Sequence, residues 1–518
     1  MSNKAIKYII NHILDDNIPH QIKLKKLTYM TNIYKNMLNN CYKGKSPLLW
    51  ATEYGDDEII QILQSAGAES IKISDEEKEN INHQFCNYLE NTHPLELENV
   101  IEYVEQGADV NCKTSKKKSP LLYAVEKNSS EVASYLIDEG ADPDYTYIIP
   151  GSAFFRAQYI YPLSQAITNR NLEMVKLLIE KGASLKPTNH LAPTPLIKAS
   201  EKGYLEIVEY LLNPNLEVDY RMCDYTTALE SACKYKHLDT VKTLVQHGAT
   251  INYENPNSSP LIRACENQDY EIVEFLLQNG ANPNQSTNFF SPLSKSAEGN
   301  KDVATKIITL LHKYGADLDI ETHDTTPLLS SIKKGNKKNT ECLLKLGADP
   351  NKIFRYKLPL NEAIESGDNQ KVKLLIQYGA NVNDTSSPLT PLLKAVMSNN
   401  IEITKLLIDN NAEINNNPDY DSIIKEALAV KTNKYDEKIF RLLVECGADI
   451  YNSDAYKQAT KEEKAFMQEC VNQKDNKQIY NSINTSRPSF YDEDIDDDED
   501  DNMDNNLSTF HFTKGRTR

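Results

Sequence analysis

No apolar run in this chain comes near the ~20 residues that a membrane-spanning helix needs, so membrane insertion is not expected. A single Trp and an aromatic share of 8% argue against large aromatic cores. The nine cysteines contain no CxxC pair, which fits free thiols in a reducing compartment. The first residues, MSNKAIKYIINHILDD, break their apolar stretch at Asn11 and His12 and show no small-residue cleavage site, so a secretory leader is not expected either. No two histidines have metalloprotease spacing, and no GxSxG or GxGxxG follows a strand-like run. The "GKS" at Gly44 to Ser46 lacks the earlier glycine of a phosphate-binding loop, because Asn39 stands there. No catalytic residue, metal site or cofactor is therefore expected. Positive charge is scarce as well. The formal charge is −18, and ten acidic residues fall within 492–504, leaving about −8 for everything else. A nucleic-acid partner would want a broad basic face, and the sequence has none.

What the chain does have is rhythm. TPLIKASEKGYLEIVEYLL (194–212), SPLIRACENQDYEIVEFLLQNGANPN (259–284) and TPLLKAVMSNNIEITKLLIDNNAEIN (390–415) share one plan. The proline of this phrase falls at Pro47, Pro120, Pro162, Pro195, Pro260, Pro292, Pro327, Pro359 and Pro391, with Ala228 standing in once, and most steps are 32 or 33 residues. A closing glycine keeps the same beat from Gly107 to Gly447. Ser or Thr before Pro caps a helix start, and Pro at the first helical position forfeits no hydrogen bond. A short polar turn such as "EKGY" precedes a second helix, on which Leu205, Val208, Leu211 and Leu212 share a face while Glu206 and Glu209 stay wet. Gly suits the left-handed end of that helix, and an "AD.N" tail leads into an extended finger. So short a helix pair cannot bury its apolar faces alone; stacked copies can.

These residues closely resemble the ankyrin repeat family over roughly 45–450, in about twelve units. The second, INHQFCNYLENTHPLELENVIEYVEQGADVN (81–111), lacks the opening phrase. The resemblance implies an all-α repeat solenoid with short β-hairpin fingers. It also implies a protein-binding scaffold whose fingers and first helices line a concave groove. The family usually places His after "TPL", where it ties neighbouring fingers together. Here that slot holds Leu49, Leu122, Ser164, Ile197, Glu230, Ile262, Ser294, Leu329, Asn361 and Leu393, so the finger side is expected to rest more on apolar packing.

The division expected is an N-terminal helical cap over 1–42 with helices near 4–14 and 23–38, the repeats over 43–450, a capping helix within 451–474, and a disordered acidic tail over 475–518. Terminal units need a polar outer face. Cys233 and Cys265 sit in equivalent slots of adjacent units and read as small core fillers. Lys116, Lys117 and Lys118 read as a solvated tip or a contact for an acidic partner.

Aromatic residues and Arg are enriched where partners bind. The fingers offer Tyr220, Arg221, Tyr225, Tyr253, Phe289, Phe290, Phe354, Arg355 and Tyr356. The step from Pro120 to Pro162 is 42 residues, about nine too many. The excess holds Tyr147, Phe154, Phe155, Arg156 and Tyr159, and Pro150-Gly151 makes it an elongated hairpin finger. It either binds a partner or packs on its neighbours. The expected function is a non-enzymatic scaffold for one or more proteins, monomeric and cytoplasmic. A substrate-recruiting adaptor, of ubiquitin-ligase type or directed at a host cell, is the alternative.

Overall fold

The computed structural model describes residues 2–151, 157–186, 192–212, 219, 226–253, 255, 257–299, 302–334, 337–429 and 437–485. Pro120–Glu126 shows how the recurring phrase becomes a helix. Ser119 Oγ accepts from the Leu122 N–H at 3.2 Å, and Pro120 occupies the first turn. Leu121, Leu122, Ala124 and Val125 are fully buried, each larger side chain contributing about 1.5–3 kcal/mol. Asn128, at φ 54°, turns the chain into the second helix Ser130–Asp138, which buries Val132, Ala133 and Leu136. Gly140, at φ 94°, closes the unit; its N–H and that of Ala141 bond back to Ile137 O and Leu136 O, both at 2.9 Å. The same hydroxyl cap recurs at Ser46, Thr194, Thr227, Ser259, Ser291 and Thr326. At the next start the roles invert: Tyr161 takes the cap position and donates its N–H to Ser164 Oγ at 2.9 Å.

Two compact units divide the chain, Met1–Pro391 and Leu392–Arg518. Among the described residues the first holds ten helix pairs, from Pro47–Tyr54 with Asp57–Ser65 to Pro359–Glu365 with Asn369–Gln377. First helices stack on first helices and second on second, as Pro195–Lys202, Ala228–Lys234 and Pro260–Glu266 do, so the core runs between the two rows. The chain is an all-α repeat solenoid. Ahead of the pairs lie helices Ser2–Leu14 and His20–Ile33, which bury Ile6, Ile9, Ile10, Ile13 and Leu27 in one cluster with Leu48 and Ile59. The outer side of His20–Ile33 departs from a polar surface, because Ile22, Tyr29 and Ile33 are exposed at helical spacing. The second unit begins one residue into the helix Pro391–Met397, which pairs with Ile401–Asp409, and it also pairs Tyr420–Ala429 with Lys438–Glu445.

Where one closing helix is expected, there are two, Asp454–Gln458 and Lys461–Thr485. Ala459 is extended (ψ 148°), and Thr460 starts the second, its Oγ accepting from Glu463 N at 3.2 Å. That helix continues past 474, into the stretch expected to be disordered. The acidic run 492–504 lies outside the described residues.

Candidate functional site

Three layers of contact tie neighbouring units together on the finger side. The outermost is a clamp repeated along the turn between units. Asn111 Nδ2 donates to Gly140 O at 2.9 Å while its Oδ1 accepts the Asp142 N–H at 2.8 Å. Asn252, Asn284, Asn351 and Asn415 do the same to Gly280, Gly315, Gly379 and Gly447. Each amide thereby satisfies both a helix-end carbonyl and the loop N–H beyond it. The "AD.N" tail carries this Asn in the sequence, but spacing alone does not reveal that its amide reaches the next unit.

The second layer caps the first helices from the following unit. Asn169 donates to Val125 O (2.8 Å), His237 to Glu201 O (3.0 Å), Asn267 to Cys233 O (3.2 Å), Asn339 to Ala297 O (3.1 Å) and Lys371 to Ile332 O (2.8 Å). The third layer is the slot where the family keeps His. Leu122, Ile197, Ile262, Leu329 and Leu393 are buried there, as apolar packing requires. Two polar occupants still tie fingers together. Glu230, nearly inaccessible, accepts from Tyr253 Oη (2.5 Å), Asn255 Nδ2 (3.2 Å) and Arg263 Nε (3.0 Å). Asn361 donates to Ser387 Oγ (3.1 Å) and Leu389 O (2.9 Å).

From Glu230 an alternating run of charge crosses the first helices. Arg263 reaches Glu266 (3.0 Å), Lys295 reaches Glu266 (3.5 Å) and Glu298 (3.4 Å), and Lys334 reaches Glu298 (3.4 Å). These charges answer one another.

The sequence-selected residues separate into three groups. Phe154, Phe155, Arg156, Tyr220, Arg221 and Tyr225 lie outside the described residues. Tyr253 and Phe354, expected on exposed tips, are 4% and 6% exposed. Tyr253 is drawn in by Glu230, and burial with that carboxylate beside it pushes its phenol well above the ordinary value, so it stays a donor. Phe354 turns inward at the base of a hairpin, its N–H and C=O paired with Lys357.

The remaining residues reach the surface. Arg355 and Tyr356 form the two-residue tip of that hairpin at φ 49° and 62°, and Tyr356 is 75% exposed. Primed two-residue turns favour Asn-Gly for these angles; the matching tip between Tyr42 and Lys45 has Lys43-Gly44. Phe289 is 46% exposed, its carbonyl accepting from Thr322 Oγ at 3.0 Å, and Phe290 lies under Lys295, whose Nζ is 3.7 Å from the ring centre. Beside them runs a groove of about 860 Å³ lined by Asn252, Asn282, Gln285, Asn288 and His323.

The long finger forms the expected hairpin: strands Tyr147–Ile149 and Gln158–Ile160 pair antiparallel, Ile148 opposite Tyr159. Its base rests on the previous finger. Tyr145 Oη donates to Lys117 O at 2.8 Å, and Lys118 lies over the Tyr147 ring while pairing with Glu126 at 2.6 Å. Tyr147 and Tyr159 are thus half-buried, and Ile148 is 47% exposed.

Cys233 and Cys265 are free and fully buried; burial raises Cys265 to about 12 and Cys233 well above its ordinary value. "GKS" is the Tyr42–Lys45 tip followed by a helix cap, Ser46 Oγ donating to Glu69 O at 2.6 Å. Among the described residues no three His, Cys, Asp or Glu side chains gather as metal ligands. Among them too, no helix is long and apolar enough to cross a membrane.

A family model described as "Ankyrin repeats (3 copies)" matches residues 90–189, 149–222, 213–287, 261–353 and 360–454. With most of its length so matched, the chain belongs to the ankyrin repeat family. Such repeats are generally protein–protein interaction modules, and their fold is generally non-catalytic. The chain is 26% identical to alpha-latrotoxin-Lg1a of Latrodectus geometricus over 30% of its own length and 11% of the toxin's. With the ankyrin repeat and KH domain-containing protein mask-1 of Caenorhabditis elegans it shares 28% identity over 47% of this chain and 8% of that one. With the mouse B-cell lymphoma 3 protein homolog it shares 24%, over 47% and 52%. The chain thus spans at most about half the length of these relatives. The human ASB11 ankyrin repeat domain superposes with a TM-score of 0.38 at 22% identity, covering 43% of this chain and 99% of that one.

Proposed function

We propose that the chain is a non-enzymatic scaffold that holds partner proteins on its finger and first-helix side. Arg355, Tyr356 and Phe289 serve as the anchors in this reading, and the amide-lined groove takes hydrogen bonds from the partner's main chain. On this proposal the protein acts as a cytoplasmic monomer. The observation that carries it is the Arg355–Tyr356 tip: two bulky side chains keep left-handed backbone angles, and the larger is 75% exposed. Packing within the chain gains little from a Tyr so placed, whereas a partner gains an aromatic anchor already held in position.

The test is quantitative affinity purification with wild type, Tyr356→Gly and Phe289→Ala in parallel. A common set of proteins lost from both variants, with circular dichroism unchanged, is the expected result. Retention of every partner by both variants would remove this surface from consideration.

A further inference from the structure

The helix Asp75–Asn91 belongs to the unit that lacks the opening phrase, and it meets the following finger through three evenly spaced rungs. Asn82 Oδ1 accepts the Asp109 N–H at 2.8 Å. One turn on, Cys86 Sγ lies 3.3 Å from Cys112 Sγ. A further turn on, Glu90 accepts from Ser115 Oγ at 2.9 and 3.2 Å. Residues 82, 86 and 90 share one helical face, and residues 109, 112 and 115 advance along the finger at the matching pace. The two sulfurs are therefore held together from both sides. Among the described residues no other two cysteine sulfurs are in such contact, including those of Cys233 and Cys265 on neighbouring helices.

We propose that Cys86 and Cys112 are a reversible disulfide site, closed by glutathione disulfide, that staples this helix to its finger. One protein thiol loses its proton, and its thiolate attacks a sulfur of glutathione disulfide, releasing one glutathione thiolate and leaving a mixed disulfide. The second protein thiol then loses its proton and attacks the protein sulfur of that mixed disulfide, releasing the second glutathione. One S–S bond forms in the protein as the glutathione S–S bond breaks, and two electrons pass from the protein to glutathione. The first ionisation is eased by the pair itself. The Cys112 thiol, donating to Cys86, holds the latter below its ordinary value, while Cys112 is itself pushed up. Closure fixes the finger that carries Lys117 and Lys118, on which Tyr145 and Tyr147 rest.

The experiment equilibrates the full chain with reduced and oxidised glutathione, quenches with an alkylating agent and maps peptides by mass spectrometry. The wild-type measurement needs no substitution. Expected are the loss of two alkylatable thiols, a peptide linking Cys86 to Cys112, and only mixed disulfides at these positions in Cys86→Ser and Cys112→Ser. Asn82→Ala/Glu90→Ala is expected to lower the closure constant roughly tenfold, since the flanking rungs hold the thiols in place. Both thiols remaining alkylatable in glutathione disulfide, linkage to a different cysteine, or an unchanged constant in the double variant would each overturn the proposal.

Discussion

Tyr356 holds a backbone angle that a side chain of its size seldom takes, φ 62°, directly after Arg355 at φ 49°. Left-handed angles cost an L-residue about 1–2 kcal/mol each and Gly almost nothing. Tyr356→Gly is therefore expected to raise the unfolding midpoint in urea, and the same variant is the one expected to lose partners. A stability gain with every partner retained would reduce the tip to an accident of sequence. His12 offers a second test at this scale. It is buried on the helix Ser2–Leu14, with Nε2 3.2 Å from Lys23 O, and burial lowers its pKa below the ordinary value. The unfolded chain thus binds this proton more readily than the folded one. The resulting stability is complete above the ordinary His pKa of about 6.5 and is lost as pH falls through the lowered value. Urea midpoints should fall between pH 7.5 and 5, and His12→Gln should flatten that slope. An equal slope in the variant would place the effect elsewhere.

Among the elements, the turn between Pro195–Lys202 and Leu205–Leu211 shows how one unit constrains the next. Gly203 has φ 67°, and a Cβ there would stand 2.3 Å from His237 Nδ1. That ring cannot swing away freely, because its Nε2 caps Glu201 O. Gly203→Ala is expected to cost at least about 1–2 kcal/mol from backbone angle alone, with the clash added. In a thermal-melt double-mutant cycle, Gly203→Ala/His237→Ala should cost less than the two single changes together, by about 0.5–3 kcal/mol. Strict additivity would mean the ring relaxes at no cost. Contacts of this kind also mark how far the sequence could be read. The helix starts were legible because Ser or Thr, Pro and the Leu–Ala stripe all act within one turn of chain. Tyr253 and Phe354 were not, since a finger has no periodicity to separate an inward ring from an outward one. Glu230, which draws Tyr253 in, lies 23 residues away. The Cys86–Cys112 contact spans 26 residues and depends on a helix face meeting a finger, which no spacing rule anticipates.

At the scale of the whole molecule, a stack of helix pairs distributes its stability between the pairs themselves and the seams that join neighbours. Asn252 and Asn284 stand on the two sides of the pair Pro260–Glu266 and Tyr270–Gln278. Asn252 binds Gly280 O and the Asn282 N–H, and Asn284 binds Gly315 O and the Asp317 N–H, all between 2.7 and 2.9 Å. Replacing both with Ala removes four hydrogen bonds without touching the buried core. Because these amides face water, a net loss of about 1 kcal/mol per side is the reasonable expectation. If coupling is nearest-neighbour, that loss should surface locally. Amide hydrogen exchange in Tyr270–Gln278 should accelerate by roughly 5–30-fold, while Pro120–Glu126, four pairs earlier, should keep its protection. Equal acceleration in both helices would show that Met1–Pro391 opens as one cooperative body. No acceleration in either would mean that the seams are held by the stacked apolar faces and the carbonyl caps, with the Asn clamps setting only the register of the fingers.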